Sequence, residues 1–598
     1  MGQETFKAER MGTLVTYRAL GGDPVPRGMV EEFLAQLPLD GVLGMLASLS
    51  LDLVQRGPDF MTAEHQAPYL NRAIAHDFPT PLPGAAVMLA PGHVPCAPGM
   101  HLLVCEQNIA WLSHVALLRC KRDTSTLQID HSLSSAVCRL LLIGNDLLEM
   151  VGPRPAPDDS LASRRVLALD VLRLCQFGVS ARGWNWYVDE LARRKAIYER
   201  LPAPVGESFR EATGGVGLED FCLVLCASIC HAAAAMTPNA FWYSKGEVFR
   251  NVAAGREKLE QVLASWSCTP DEYVRNVRCA ERGRREGFHS VSLRSRPLIE
   301  ARPGQLVCPV MPFLMAKVMD GAYFVLSDHL KGRRRTDFQR DLGGAFEDYA
   351  VGLVRVLAER DNAGPWQMPP TREREGSEIA DAWLVRGTTC VVLEFKAGRQ
   401  GTEFLTGGDG GRVLGPKAEI LSRLDRGESV DVAHVSPKKV DDGCLTRPMW
   451  QQSKMAPLVA AAVQKVTGQA PERVFPLVIA LEDLHVTREL RHLYLDPLAE
   501  QARLYSDRLW RPVQWLHIHE LEVLASLAAD GLLDLEGLLE RKAREDPSGD
   551  FEAFLARQFP AQQLVPAHLH RVGIGLIAGA LERFFPPAQG SATSQTEP

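Results

Sequence analysis

Two short apolar runs, at residues 378–385 and 390–396, constrain the fold of this chain more than any other feature. The first has the sequence EIADAWLV and the second CVVLEFK. Side chains alternate between the two faces of a β-strand, so Glu394 and Lys396 share one face, and Val391, Leu393 and Phe395 share the other. The turn-like sequence RGTT at 386–389 lies between the runs and predicts that they form a β-hairpin.

Three charged residues interrupt these apolar runs, Asp381 in the first and Glu394 and Lys396 in the second. A buried strand carries a charge only with a partner or a metal, because an unpaired buried charge is strongly destabilising. We therefore expect Asp381, Glu394 and Lys396 to converge on one cation and its bound water. An alternative interpretation stays open, in which Lys396 pairs with Glu394 or Asp381 as an ordinary salt bridge on an edge strand.

A helix that bears an acidic residue is predicted to precede the two runs. Apolar residues at helical spacing predict an amphipathic helix over 341–359, with Glu347 beside its apolar stripe. The E-x-K tripeptide alone is a weak signal, because residues 540–542 (ERK) have the same spacing inside a polar helix, where we expect a solvated face. Only the copy at 394–396 lies in an apolar β run that follows an acid-bearing helix.

These residue types suit the metal-assisted hydrolysis of a phosphodiester. A hard divalent cation such as Mg²⁺ prefers a few carboxylate oxygens and keeps several water ligands. Asp381 and Glu394 supply ligands of that kind, and Glu347 could complete the shell or bind a second metal. Lys396 could hold or deprotonate the attacking water and offset developing negative charge. The predicted catalytic residues are thus Glu347, Asp381, Glu394 and Lys396, of which the first three are the predicted metal ligands.

The order of the acidic elements resembles that of the PD-(D/E)XK nuclease superfamily, which has the restriction-endonuclease-like fold. That order is a helix with Glu347, then a strand with Asp381, then a strand with the EFK tripeptide at 394–396. The resemblance covers about residues 335–520. It implies an αβββαβ core that cleaves nucleic acid with Mg²⁺ or Mn²⁺, and it favours DNA over RNA. The chain departs from the pattern at Ala380, where such enzymes often carry a proline.

The predicted fold class is therefore α+β or α/β, with a helical N-terminal domain ahead of the nuclease-like domain. Apolar spacing of three and four residues recurs through the first half of the chain and predicts a packed helical module. The predicted divisions are a helical recognition or regulatory domain over 1–290, a β-containing connector with a basic cluster over 291–335, the nuclease-like domain over 336–525, C-terminal helices over 526–586 and a disordered tail over 587–598.

Composition is that of an ordinary globular protein, with 46% hydrophobic and 23% charged residues among 598. The net charge of −7 provides no overall basic field, so any contact with nucleic acid must come from local patches. The polar amino terminus and the lack of a long apolar stretch predict a cytoplasmic protein without membrane contact. Thirteen scattered cysteines are expected to be reduced core residues.

Two further clusters have less specific patterns. Arg333, Arg334 and Arg335 form a basic cluster that could contact phosphates, although charge runs are usually solvated surface. The spacing of two histidines and two cysteines between His93 and Cys105, with Cys96 and His101, could assemble a zinc site. The Pro- and Gly-rich loop without a CxxC pair favours an ordinary loop, and whether this cluster binds zinc stays open.

The sequence as a whole favours a metal-dependent nuclease that acts on DNA. Such a nuclease could be the effector of a bacterial restriction or anti-phage defence system. In that version a protein partner, or a second copy of the chain, would act through the N-terminal half. The alternative is a nuclease-fold protein without catalytic activity that serves as a nucleic-acid-binding or scaffold module. Neither alternative involves an organic cofactor, because there is no P-loop and no dinucleotide-binding glycine motif.

Overall fold

The computed structural model describes residues 13–82, 101–122, 130–151, 183–218, 220–222, 224, 242–244, 256–280, 291–371, 379–397, 458–482, 491 and 509–584. The described part of the chain is a mixed α+β protein that is mostly helical, with two four-stranded sheets and one two-stranded sheet, which confirms the predicted mixed α+β class. Among these residues we find no helix that is both long and apolar enough to cross a membrane.

The N-terminal half is built mainly from helices, as its apolar spacing predicts. Its helices are α1 Arg27–Leu34, α2 Leu39–Arg56, α3 Ala63–Ile74, α4 Glu106–Arg119, α5 His131–Val151, α6 Trp184–Tyr198, α7 Ala203–Ala212, α8 Arg256–Ser265 and α9 Pro270–Ala280. Helix α9 begins with a reciprocal cap: the Glu272 amide donates to Thr269 Oγ1 at 3.2 Å, and the Thr269 amide donates to Glu272 Oε2 at 2.8 Å.

Short strands accompany these helices. They are β1 Thr13–Leu14, β2 His101–Leu102, β3 Trp242–Ser244, β4 Ser267–Cys268, β5 Leu298–Arg302 and β6 Gln305–Val307. The first two pair with each other, and the others form a sheet in the order β3-β6-β5-β4. Strands β5 and β6 belong to the predicted connector 291–335, yet they pair with strands that precede it. This segment therefore packs as part of the N-terminal half.

The rest of the connector is helical and leads into one long helix. Helices α10 Val291–Ser295, α11 Met311–Met315 and α12 Lys317–His329 precede α13, which spans Gly332–Arg360. The sequence predicts this helix over 341–359, but the basic cluster forms its first turns, so the helix begins earlier. Its buried stripe includes Leu342, Phe346 and Leu357 as the apolar spacing predicts.

A four-stranded sheet follows α13. Its strands are β7 Ala382–Arg386, β8 Thr389–Lys396, β9 Arg473–Ala480 and β10 Gln514–His517, and their order is β10-β9-β8-β7. The predicted hairpin is confirmed, because β7 and β8 are antiparallel and joined through Gly387 at a φ of +59°. The β8–β9 and β9–β10 pairs are parallel. Strand β8 is thus an interior strand and not the edge strand of the salt-bridge interpretation.

Both faces of β8 are covered. Val391, Leu393 and Phe395 join the main core on the face that α13 covers. Cys390 and Val392 join a second core on the other face, together with apolar residues of helix α14 over 458–467. Because side chains alternate along a strand, Glu394 and Lys396 continue the face of the second core.

Four helices follow the sheet. They are α15 Ile518–Ala529, α16 Leu535–Glu545, α17 Phe551–Gln558 and α18 Ala567–Phe584. Helix α15 packs on α13, and it extends across the position 525/526 at which the sequence divides the nuclease-like domain from the C-terminal helices. The predicted tail 587–598 lies outside the described residues.

Ionic contacts connect α16 to the amino ends of β8 and β9. Glu536 accepts hydrogen bonds from Thr389 Oγ1 at 2.9 Å and from Arg386 Nη2 at 3.0 Å. Its Oε1 also lies 2.5 Å from Arg473 Nη2. This single carboxylate therefore ties the hairpin and β9 to the helix behind them.

A second carboxylate joins the end of α13 to α16. Buried Asp361 accepts hydrogen bonds from the Ala363 amide at 2.9 Å, from Trp366 Nε1 at 2.9 Å and from the Leu535 amide at 3.0 Å. Arg386 Nη1 lies 3.4 Å from Asp361 Oδ1 and balances its charge. Both carboxylate oxygens of Asp361 accept hydrogen bonds. An asparagine at this position would therefore direct its NH₂ group toward a hydrogen-bond donor.

We expect Asp361→Asn to lower the free energy of unfolding by about 2–3 kcal/mol, since it leaves buried donors unsatisfied and removes one of the carboxylate partners of Arg386. Urea-induced unfolding followed by tryptophan fluorescence measures the change. The matched control is Asp530→Asn at the exposed end of α15, for which we expect a change within about 0.5 kcal/mol. Equal effects of the two substitutions would contradict the assigned role of Asp361.

Candidate functional site

The carboxyl end of β8 places two acidic residues beside each other. Asp381 comes directly before β7, and the register Ala382↔Leu393 extends to put it opposite Glu394. Asp381 Oδ2 accepts a hydrogen bond from the Phe395 amide at 2.7 Å, which fixes its carboxylate against β8. The two predicted carboxylates therefore lie on neighbouring strands at one end of the hairpin.

Lys396 pairs with Glu394 on the same face of β8. Glu394 is only 1% exposed, whereas the Lys396 side chain is 19% exposed. Lys396 Nζ donates to Glu394 Oε1 at 2.5 Å. This ion pair is the contact that the alternative interpretation predicts, although it lies in an interior strand. A desolvated carboxylate and a partly accessible ammonium thus stand together with Asp381.

Glu347 lies in helix α13, which covers one face of β8. It is a half-buried residue of α13, directly after Phe346. The Phe346 and Phe395 rings meet edge to face with centroids 6.2 Å apart. Because Phe395 points away from the face of Glu394 and Lys396, helix α13 approaches the sheet from the opposite side. The structure therefore brings Asp381, Glu394 and Lys396 together, and the role of Glu347 beside them stays a prediction.

The donor set can be compared with what a divalent cation requires. Throughout the part of the chain that the structure describes, no three His, Cys, Asp or Glu side chains are arranged to hold a metal ion. Two neighbouring carboxylates, Asp381 and Glu394, nevertheless match the hard oxygen ligands of Mg²⁺, which usually keeps several waters and needs few protein ligands. The residues present fit such an ion in donor type, with Asp381 and Glu394 as the residues that would hold it.

The ends of β8 and β9 meet beside this cluster. Lys396 pairs with Ala480 in the parallel ladder, and the Leu481 amide donates to the Lys396 carbonyl at 2.9 Å. His517, at the end of β10, has Nε2 3.1 Å from the Leu481 carbonyl oxygen. Glu482 follows immediately, and its Oε1 lies 3.1 Å from Nη2 of Arg194 on α6. A helix of the N-terminal half therefore contacts the sheet next to Lys396.

Buried ionic contacts hold α6 in this position. Arg193 is fully buried and donates to both oxygens of Glu522 on α15, from Nε at 2.7 Å and from Nη2 at 2.5 Å. Glu190 Oε1 accepts from Arg194 Nε at 2.6 Å, and its Oε2 pairs with Arg193. The Tyr349 hydroxyl donates to Glu522 Oε1 at 2.7 Å. The N-terminal half is thus joined to α13 and α15 through a desolvated charge network.

Burial and charge shift the proton affinities within this network. Burial, with the Glu522 carboxylate, raises the pKa of Tyr349 well above its usual value. Burial opposes the charge on Arg193, but the Glu522 carboxylate outweighs that effect and raises the Arg193 pKa. The arginine therefore stays charged and the tyrosine stays protonated, so both remain hydrogen-bond donors to Glu522.

Sequence reasoning missed this second cluster. The available signal is the DELARR segment of α6, where an acid stands three and four residues before two arginines. On an ordinary surface helix that spacing indicates solvated ion pairs. Only the burial of Glu190, Arg193 and Arg194 distinguishes it here.

The predicted basic cluster occupies the first turns of α13. The Arg333 side chain is 94% exposed and that of Arg334 is 64% exposed, and Arg335 is exposed as well. Arg334 also donates to Ser208 Oγ at 3.1 Å. Along a helix axis, the turn of Arg334 is roughly 18 Å from that of Phe346. The cluster is therefore an accessible basic surface at some distance from the acid–lysine site.

The candidate zinc cluster is only partly described. His101 lies in β2, and Cys105 is the N-cap of α4, where burial raises the pKa of its thiol to about 11. His93 and Cys96 lie outside the described residues, so zinc binding stays untested.

The second E-x-K tripeptide differs from its sequence-based interpretation. Residues 540–542 lie in α16 as predicted, and Glu540 pairs with Arg511 at 3.0 Å. Lys542, however, is fully buried and donates to the carbonyl oxygens of Asp546 and Gly549. The expectation of a solvated face is therefore wrong for Lys542, because its ammonium is held by the backbone after the helix.

Comparisons with known proteins add no assignment: no family model, no curated protein and no solved structure matches this chain.

We expect Lys396→Met to lower the free energy of unfolding by about 3–5 kcal/mol without divalent cations, because it leaves the buried Glu394 carboxylate without its lysine. The double substitution Glu394→Gln with Lys396→Met should recover most of that loss. Urea unfolding in EDTA measures both.

The control for this pair is Lys195→Met on α6, which breaks the exposed ion pair with Glu199. Its effect should stay within about 1 kcal/mol. If Lys396→Met were as mild as this control, the buried ion pair would not contribute to stability as assigned.

Proposed function

We propose that this protein is a metal-dependent nuclease whose site is formed by Asp381, Glu394 and Lys396. The observation that carries the proposal is the placement of two neighbouring carboxylates and a lysine at the carboxyl end of a buried interior strand. A purely structural strand would contain apolar residues at these positions, because a buried charge is costly. The conjunction of these residue types also supports the resemblance to PD-(D/E)XK nucleases.

Each side chain has a distinct task in this proposal. Asp381 is anchored by the Phe395 amide, and Glu394 is positioned by the rigid ladder of β8, so both carboxylates present oxygens from fixed positions. A bound Mg²⁺ or Mn²⁺ would polarise the phosphodiester and lower the pKa of an attacking water. Lys396, with its side chain partly exposed, would orient that water and offset negative charge that develops on the phosphate. Glu347 would assist as a further metal ligand from helix α13.

The substrate would be nucleic acid, and the resemblance favours DNA. Exposed Arg333, Arg334 and Arg335 support this because they offer phosphate contacts that do not depend on sequence. The N-terminal half would serve for recognition or control. The protein would then be an effector of a cytoplasmic restriction or anti-phage system that cuts only when a partner or a second copy engages this half. The buried ion pairs between the N-terminal half and the elements around the sheet support such control.

A second candidate function is a nucleic-acid-binding or scaffold module with the same fold and no catalysis. The ion pair between Lys396 Nζ and Glu394 Oε1 favours it, because it already neutralises the buried carboxylate. Such a module would bind DNA equally well with and without a divalent cation. The two candidates therefore differ in their requirement for the ion.

Lys396→Ala and Asp381→Ala should each abolish Mg²⁺-dependent cleavage, with rate losses of roughly a hundred- to ten-thousandfold. The measurement uses plasmid, linear DNA and RNA with Mg²⁺, Mn²⁺ or EDTA. Circular dichroism checks that both variants stay folded.

The matched control is Glu540→Ala, which alters the other E-x-K tripeptide at a partly buried ion pair away from the site and should cleave normally. Undiminished cleavage by both site variants would exclude the proposed site. DNA binding by the wild-type chain that is independent of the ion, without any cleavage, would support the scaffold alternative.

We expect the double substitution Arg333→Ala with Arg335→Ala to weaken DNA binding and to make the plot of log affinity against log salt shallower by roughly 1.8, the contribution of two phosphate contacts. Fluorescence anisotropy over a salt series measures this slope. Arg544→Ala with Arg571→Ala removes the same charge from other exposed positions and should leave the slope unchanged. Equal slopes in the two double variants would assign no role to the basic cluster.

A further inference from the structure

Helix α6 is the part of the N-terminal half that reaches the proposed catalytic end of the sheet. It packs against α12 and α13 and against the C-terminal helix α18. Its polar side chains extend from there to α15 and to Glu482, the second residue after β9. This one helix therefore contacts α12, α13, α15 and α18 as well as the segment that follows β9.

The contact closest to the site is the ion pair between Arg194 and Glu482. Arg194 is 2% exposed and Glu482 is 19% exposed, with 3.1 Å between Nη2 and Oε1. Glu482 follows Leu481, whose amide donates to the Lys396 carbonyl. A displacement of Glu482 would therefore move the adjacent Leu481 amide and disturb its hydrogen bond to the Lys396 carbonyl oxygen.

The anchor of Arg194 is rigid. Its Nε donates to the fully buried Glu190, whose other oxygen pairs with Arg193, and Arg193 is held in turn by both oxygens of Glu522. Planar bidentate pairing restricts guanidinium rotation more than a single contact does. The Arg194 side chain is thus positioned by the N-terminal half and by α15 together, and it can hold Glu482 in one place.

We propose that Arg194 and Glu482 are positioning residues through which helix α6 of the N-terminal half sets the place of Lys396. This rests on the proposed nuclease function for its kinetic consequence, but the mechanical coupling itself does not. Neither residue touches substrate. When α6 is seated, the Arg194–Glu482 pair holds the end of β9 against β8, and the Lys396 ammonium keeps its distance from Glu394 and Asp381.

The opposite end of the same sheet provides a matched comparison. Glu536 binds Arg386, Arg473 and Thr389 at the amino ends of β8 and β9, and it is 20% exposed, close to the 19% of Glu482. The two ends of β8 are roughly 23 Å apart at the rise of a strand. Loss of either carboxylate removes an ionic contact of this sheet, but only Glu482 adjoins Lys396.

The test compares Glu482→Gln with Glu536→Gln in the full chain. Hydrogen exchange of the Leu481 amide should accelerate about tenfold or more in Glu482→Gln and stay near wild type in Glu536→Gln. With plasmid DNA and Mg²⁺, Glu482→Gln should lower kcat roughly ten- to a hundredfold with KM unchanged, since misplacement of a reacting group affects the chemical step. Glu482→Asp should recover part of the rate, and Lys195→Met on the same helix should have no effect.

The outcomes separate the coupling from the nuclease function. Faster exchange at Leu481 in Glu482→Gln without any cleavage by wild type would support the coupling and overturn the nuclease function. Equal exchange at Leu481 in Glu482→Gln and Glu536→Gln would overturn the coupling. Normal kcat in a cleaving Glu482→Gln protein would also overturn it, whatever the change in stability.

Discussion

The structure depends on how one interior strand accommodates charge. Strand β8 has apolar cores on both faces, yet its carboxyl end carries the buried Glu394. The free energy cost of that burial is offset only if cations and hydrogen-bond donors surround the end of the strand. Two such groups lie at this end: Lys396 donates to Glu394, and the Phe395 amide donates to Asp381. A site with two acids and a lysine therefore exists where packing alone would select apolar residues.

The two ends of the sheet have different partners. At the amino end, Glu536 ties β8 and β9 to the helix that follows the sheet, so those contacts stay within the C-terminal half. At the carboxyl end, Glu482 pairs with Arg194 of α6. The two halves of the chain thus meet at the end that carries the candidate chemistry. Carboxyl edges of parallel strands commonly border functional clefts, and here a helix of the other half occupies that border.

The candidate site was partly predictable because part of it is local. A hairpin places Asp381 opposite Glu394, and strand alternation places Lys396 beside Glu394, so spacing along the chain is sufficient. Glu347 was harder to place, because the face from which a helix approaches a sheet depends on which apolar residues it covers. The contact of Phe346 with Phe395 decides that α13 covers the face opposite the acid–lysine pair.

The sequence by itself determined the mixed α+β class, the hairpin, the amphipathic α13 and the charged residues of β8, because periodicity and turn chemistry act over a few residues. Tertiary structure alone decided that β8 is interior, that Lys542 is buried and that Arg193 and Arg194 connect the halves. These features require partners far apart in the chain: Glu522 lies in α15, whereas Arg193 lies in α6. These contacts lose their water only when distant segments of the chain pack together. Their burial therefore cannot be predicted from the residue pattern of a single segment.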